Sequence, residues 1–219
     1  MQKYNAVIFD LDGVIVDTAK YHYLAWKRLA DELGFEFLET HNERLKGVSR
    51  MDSLNILLEV GGLDFPMDEK LIMAEKKNNW YVEYISKIDE SEILPGAAEV
   101  IAMLKENNIK IALASASKNS PMILTNIGLL NAFDAIADGN VISKAKPDPE
   151  VFIAAADLIG ISCENCIVIE DAFAGVEGAK NAGMYAIGVG DREVLKAADV
   201  VISDMTKLLN DDLLLGLLN

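Results

Sequence analysis

Cysteine is almost absent: Cys163 and Cys166 are the only two. Two thiols cannot make a disulfide framework, and this lone C-x-x-C lacks the second Cys/His pair of a zinc site and the helix start of a redox one. The only histidines, His22 and His41, are not in ligand spacing. The pair reads as one loop cysteine and one buried one, as suits a reducing cytoplasm. Basic residues are also scarce, 20 against 35 acidic, for a net charge of −15. That balance argues against nucleic acids and anionic membrane surfaces as partners. No apolar run approaches the roughly 18 residues of a membrane span. The stretch Leu213 to Leu218, broken by Gly216, reads as the end of a docking helix. Ala6 already lies in a strand-like run, which leaves no room for a secretory leader. Repeats and low-complexity segments are missing too. The expectation is a cytoplasmic, monomeric protein with small-molecule partners.

What is present is core material and one conspicuous acidic pair. Apolar residues make up 51% of the 219, enough for a large domain or a core with a smaller companion. Ala6-Val7-Ile8-Phe9 is apolar without alternation, the pattern of a parallel strand buried on both faces. It runs into Asp10-Leu11-Asp12-Gly13. In open α/β sheets ligands bind beyond the carboxyl ends of strands, which places Asp10 where chemistry occurs. Two carboxylates this close repel unless a cation lies between them or one keeps a proton. A carboxylate nucleophile beside an acid/base carboxyl suits phosphoryl transfer through an aspartyl-phosphate. The same four residues would also make a plain strand-end turn.

Helical spacing dominates from 18 to 88. Tyr23, Leu24, Trp26, Leu29, Ala30 and Leu33 lie on a helix that Gly34 stops. Further helices are expected over about 51 to 60 and 68 to 86, and no strand. From Leu94-Pro95-Gly96 onward, helices alternate with short strands at 109–114, 133–137, 167–169, 185–189 and 200–202. Alternation of this kind predicts a Rossmann-like α/β core: a parallel sheet with helices on both faces. The all-helical block is then a cap inserted into it, with residues 1–17 and 89–219 as the core and 18–88 as the cap. Two chain crossings at one place make a hinge, and the cap a candidate lid.

Other strand ends carry suitable chemistry. Ser115-Ala116-Ser117-Lys118-Asn119 follows one strand and opens a helix, where hydroxyls and free N–H groups can hold phosphate oxygens or where serine simply caps. Lys146, in Lys144 to Pro149, can reach a phosphate and Asp10, or be a solvated loop lysine. Ile167-Val168-Ile169-Glu170-Asp171 repeats the opening pattern of buried strand then acids. Magnesium takes oxygen ligands, with one or two carboxylates typical, and Asp10 and Asp171 on neighbouring strands would supply them.

In this order the motifs resemble those of the haloacid dehalogenase superfamily, along the whole chain. Asp12 matters, because the superfamily's phosphatases and mutases have the second aspartate and its dehalogenases typically lack it. The resemblance implies Asp10 as nucleophile and metal ligand, and Asp12 as general acid/base whose carbonyl also meets one Mg2+ per chain. It further implies Ser115 and Lys146 at the transferring phosphoryl group, with Glu170 and Asp171 completing the metal site. Asp17 to His22, Trp26, Leu45 to Arg50, Lys77-Asn78 and Ala112 to Asn119 are similar to the phosphosugar mutases of the superfamily. That likeness implies an isomerase interconverting β-D-glucose 1-phosphate and glucose 6-phosphate through an aspartyl-phosphate and a β-glucose 1,6-bisphosphate intermediate. Thr18, His22, Trp26, Lys46, Gly47, Val48, Ser49, Arg50, Lys77 and Ser115, Ala116, Ser117, Lys118 and Asn119 would then contact substrate.

Physical reasoning agrees that a mutase needs two anion sites. Arg50 can grip a remote phosphate bidentately, and Gly47 lets the backbone approach the sugar. His22 either couples lid closure to Asp12 or is an ordinary hydrogen-bonded helix histidine. Trp26 continues an apolar stripe and reads as cap core before sugar platform. Two rival functions stand beside this one: a sugar-phosphate phosphatase on the same scaffold, and a non-catalytic metal-binding regulator. The intact set Asp10, Asp12, Lys146 and Asp171 argues against the regulator.

Overall fold

Ala6–Phe9 forms the first strand, β1, and all four side chains are fully buried. In the computed structural model, which describes residues 4–45, 48–210 and 213–218, β1 is a central strand. Four helices follow: α1 (Ala19–Leu33), α2 (Glu39–Asn42), α3 (Arg50–Gly61) and α4 (Met67–Ile85). The remaining chain alternates: α5 (Ala97–Glu106), β2 (Lys110–Ala114), α6 (Ser120–Asn126), β3 (Ala135–Ala137), α7 (Glu150–Ile159) and β4 (Cys166–Glu170). Then come α8 (Phe173–Asn181), β5 (Tyr185–Val189), β6 (Val200–Ile202), α9 (Lys207–Asn210) and α10 (Leu213–Leu218).

The six strands make one parallel sheet in the order β3-β2-β1-β4-β5-β6. β1 pairs with β2 on one side and β4 on the other, with Phe9 level with Leu113 and Ile169. A strand in that position has a core on both faces, which is why its sequence does not alternate. Successive side chains still point to opposite faces. Val7, Phe9, Ile111, Leu113, Ile167 and Ile169 pack with Val100 and Leu104 of α5, Ile123 of α6 and Leu214 of α10. Ala6, Ile8, Ala112, Val168 and Ala186 pack with Phe152 and Ala155 of α7 and Val176 of α8. Each fully buried large aliphatic side chain contributes about 1.5–3 kcal/mol of burial free energy.

Among the described residues, every element of the block from 19 to 85 is a helix. Its own core is Trp26, Leu29, Ala30, Phe37, Leu54, Leu57, Leu58 and Ala74. The apolar stripe of α1 supplies three of these, and the helix ends where Gly34 takes φ 86°, a left-handed conformation that favours glycine. Ala25, Tyr81 and Ile85 turn the other way and join the cluster on the α5 face of the sheet. The short α2 is not expected from the sequence; four residues are too few to show a helical period. β4 extends one residue past the expected strand and carries Glu170 within it.

Candidate active site

Asp10 prolongs β1 by one ladder rung, its N–H donating to Ile169 O at 2.9 Å. Because β1 is flanked by β2 and β4 in register, Asp10 emerges level with the ends of both, beside Ser115 and Glu170. Lys146 reaches this point from the loop ahead of α7. Its Nζ donates to Asp10 Oδ1 at 2.5 Å, Glu170 Oε2 at 2.8 Å and Ala114 O at 3.2 Å. Burial works against the ammonium charge, but Asp10 and Glu170 outweigh it and hold the Lys146 pKa above its ordinary value.

Asp10, Glu170 and Asp171 bring carboxylate oxygens within 4.8 Å of one another. Two glycines allow this crowding. At Gly13, with φ 85°, a Cβ would lie 2.0 Å from Asp171 Oδ2, and at Gly175 one would lie 2.0 Å from Glu170 Cδ. Burial and then the Asp10 charge push the Glu170 pKa up to about 8, Lys146 opposing. Burial, Asp10 and Asp171 likewise push Asp12 up to about 8, and its buried Oδ1 has no hydrogen-bond partner among the described residues. A set of carboxylate oxygens in surplus over one lysine fits a hard divalent cation.

Ser115 is buried, its Oγ accepting from Ser117 N at 3.1 Å, while Ser117 Oγ accepts from Asn119 N at 3.2 Å. These Ser turns curl residues 115–119 into the start of α6. The loop, with Lys118 exposed, forms one wall of a cleft of about 930 Å3 whose floor holds Asp10, Asp12, Lys146, Glu170 and Asp171.

The helical block forms the opposite wall, with His22, Trp26, Val48, Ser49, Arg50 and Lys77. Lys77 is buried, its Nζ 4.5 Å from the Trp26 ring centre and 2.8 Å from His22 Nδ1. For that contact one nitrogen must accept, and the neutral imidazole has the lone pair. Burial and then Lys77 pull the His22 pKa well down; burial and then Arg50 pull Lys77 down. His22 stacks on Tyr81 with centres 3.9 Å apart.

Most expected residues thus meet in one cleft, with exceptions. Thr18 is fully buried, between Asp17 and Ala19, which line the cleft. Trp26 touches the cleft wall but is 2% exposed, with its ring in the cap core, as its stripe indicates. Ser49 uses its hydroxyl to cap α3, accepting from Asp52 N at 3.2 Å. Lys46 and Gly47 lie outside the described residues. Asn78 lines the cleft beside Lys77, and the lining also includes Asn42, Ser53 and Glu75. Ser53 follows Arg50 by three, a helical spacing that shares a face, so it was within reach of the sequence. Asn42 had no such signal.

Residues 4–183 match the family model described as haloacid dehalogenase-like hydrolase. The chain is 45% identical to the β-phosphoglucomutase of Bacillus subtilis (strain 168), over 94% of each protein. It is 31% identical to the phosphorylated carbohydrates phosphatase of Thermotoga maritima, over 94% of this chain and 96% of that one. The crystal structure of β-phosphoglucomutase from Clostridium difficile superposes with a TM-score of 0.89 at 46% identity, covering 94% of this chain and 93% of that one.

Proposed function

The chain belongs to the haloacid dehalogenase-like hydrolases, and from that premise we propose that it is a phosphosugar mutase interconverting β-D-glucose 1-phosphate and glucose 6-phosphate. One observation carries the choice of mutase: cations stand on two sides of a single cleft, Lys146 on the floor beside Asp10 and Arg50 in the helical wall. One site suffices for a phosphatase, whereas a bisphosphate needs both ends held. Likeness to the Bacillus and Clostridium mutases supports the same reading.

Asp10 attacks one phosphorus of the bisphosphate and becomes the aspartyl-phosphate, while the departing oxygen of the sugar monophosphate takes the Asp12 proton. Burial and its acidic neighbours keep that proton on Asp12 near neutral pH. In the other half-reaction the free hydroxyl of a bound sugar monophosphate gives its proton to Asp12 and attacks that phosphorus, freeing Asp10 and forming the bisphosphate, which turns around so that its other phosphate faces Asp10. Lys146 fixes one oxygen of Asp10 and, with Ser115, holds the phosphoryl oxygens. Arg50 grips the remote phosphate, and residues 115–119 share in holding it. Asp10, Glu170 and Asp171 would hold a divalent cation, taken as Mg2+, with the Asp12 carbonyl as a further donor; it would supply positive charge against the phosphoryl oxygens. We assign residues 1–17 and 89–219 to the core and 18–88 to the cap, with small sugar phosphates and not nucleic acid as partners.

A coupled assay for glucose 6-phosphate, with β-D-glucose 1-phosphate, Mg2+ and glucose 1,6-bisphosphate as primer, tests this. Steady glucose 6-phosphate formation that Asp10→Asn abolishes, a loss of at least about a thousandfold, is the expected result. Free phosphate released without glucose 6-phosphate would make the protein a phosphatase. Turnover near normal in Asp10→Asn would remove the covalent scheme.

A further inference from the structure

The two crossings between sheet and helical block are tied to each other. Leu94 N donates to Ile15 O at 2.9 Å, Asp17 N donates to Glu92 O at 3.2 Å, and Val16 pairs with Ile93 as an antiparallel bridge. These bonds make a short two-stranded ribbon fixed to the sheet. Any rotation of the cap therefore turns beyond it, ahead of Glu92 on the returning crossing and, on the outgoing one, at a point between Asp17 and the start of α1. The side chain of Glu92 reaches across that point. Its Oε1 accepts from Tyr21 OH at 2.7 Å and its Oε2 pairs with Lys20 Nζ, both in the first turn of α1. The Glu92 side chain is 14% exposed and Tyr21 packs on the sheet cluster, so the Tyr21 arm is partly sheltered, whereas the Lys20 side chain, 46% exposed, faces solvent. One residue further along α1 stands His22, the residue joined to Lys77 and stacked on Tyr81.

We propose that Glu92 is a positioning residue for the reaction: from the ribbon it latches Lys20 and Tyr21, and so holds the first turn of α1, with His22, in the orientation that closes the cap over Asp12. Glu92 touches no substrate and acts through α1. Loosening the latch leaves Asp10 and its cation site intact but lets α1 tilt, so the cap closes less often and water reaches the phosphoenzyme. The catalytic part of this inference rests on the mutase reading; the mechanical part does not.

Glu92→Ala removes both contacts. Glu92→Gln keeps an acceptor for Tyr21 and loses the charge facing Lys20, and Tyr21→Phe removes the hydroxyl alone. Hydrogen–deuterium exchange of the amides over residues 19–25 is read in each folded variant, without substrate. We expect exchange there to quicken about fivefold to tenfold in Glu92→Ala, and less in the two milder variants. With sugar phosphate, kcat for glucose 6-phosphate should fall by a similar factor at little changed KM, while free phosphate per glucose 6-phosphate rises. The double variant Glu92→Ala/Tyr21→Phe should be no worse than Glu92→Ala, because both substitutions cut one latch. Unchanged exchange in Glu92→Ala overturns the latch, as does strict additivity in the double variant. If Glu92→Ala does not fold, unchanged exchange and partition in both Tyr21→Phe and Glu92→Gln overturn it equally. Absence of mutase turnover in the wild type would defeat the proposed function and leave the exchange result to decide the latch.

Discussion

Around Lys146 the structure gathers Asp10 at 2.5 Å and Glu170 at 2.8 Å, with the charges of Asp12 and Asp171 also bearing on the cluster. Four carboxylates against one ammonium do not all ionise in a buried site without another cation, so protons stay on. Asp12 and Glu170, both pushed up to about 8, are where they stay. The sign of the pH dependence follows from those raised values. Relative to the unfolded chain, the cation-free protein binds extra protons between the ordinary carboxylate range and about pH 8, so its stability falls as pH rises through that window. A divalent cation competes with the protons. Its apparent affinity should therefore rise between pH 6 and pH 8, by up to about tenfold per pH unit for one proton released. Calorimetric titration of Mg2+ in two buffers of different ionisation enthalpy measures the protons directly. A heat independent of buffer would mean that the site is already fully ionised without the cation.

At the scale of elements, the strands were the most legible part of the sequence because a two-sided core demands an unbroken apolar run, and Ala6–Phe9 and Tyr185–Val189 have one. Their ends carried the site: Asp10, Ser115 and Glu170 all close a buried run. The cap was legible as helices, through the α1 stripe and its glycine stop. Less legible was which helix face looks where. Tyr81 lies on α4 next to Lys77 in space, yet reads as one more apolar residue of a stripe. Asn42 stands on a helix too short for periodicity, and the burial of Thr18 depends on how the hinge folds back, which no local pattern encodes. Arg50 opens α3, whose end is set by the Ser49 cap, so its guanidinium is carried by a rigid element of the cap. If its grip on the remote phosphate also drives closure, Arg50→Ala should lower kcat of the mutase step and not only raise KM. Losing one charge-assisted phosphate contact costs about 1.5–3 kcal/mol, on the order of tenfold to a hundredfold. Hydrolysis of the phosphoenzyme by water should change far less. Rapid-quench measurement of both rates decides it: equal losses, or none in the mutase step, would deny Arg50 that part in closure.

Over the whole molecule a net charge of −15 surrounds this site. The field repels anionic substrates at long range and concentrates cations, and it is screened over about 8 Å at physiological ionic strength. Raising KCl from about 10 mM to about 300 mM should weaken Mg2+ binding several-fold at constant pH. A dissociation constant that does not move would show that only the buried carboxylates govern the cation. The central place of β1 has a consequence in time as well. During synthesis β1 emerges early, but the strands that flank it carry Leu113 and Ile169 as its ladder partners. At about 5–20 residues per second, the first of those follows on the order of 10 s later. Throughout that interval an unpaired run of Ala-Val-Ile-Phe waits in the cell's crowded interior, while the cap, with a core of its own, can already condense. A nascent chain stalled short of β2 should thus be a client of chaperones, and the waiting strand the segment they hold.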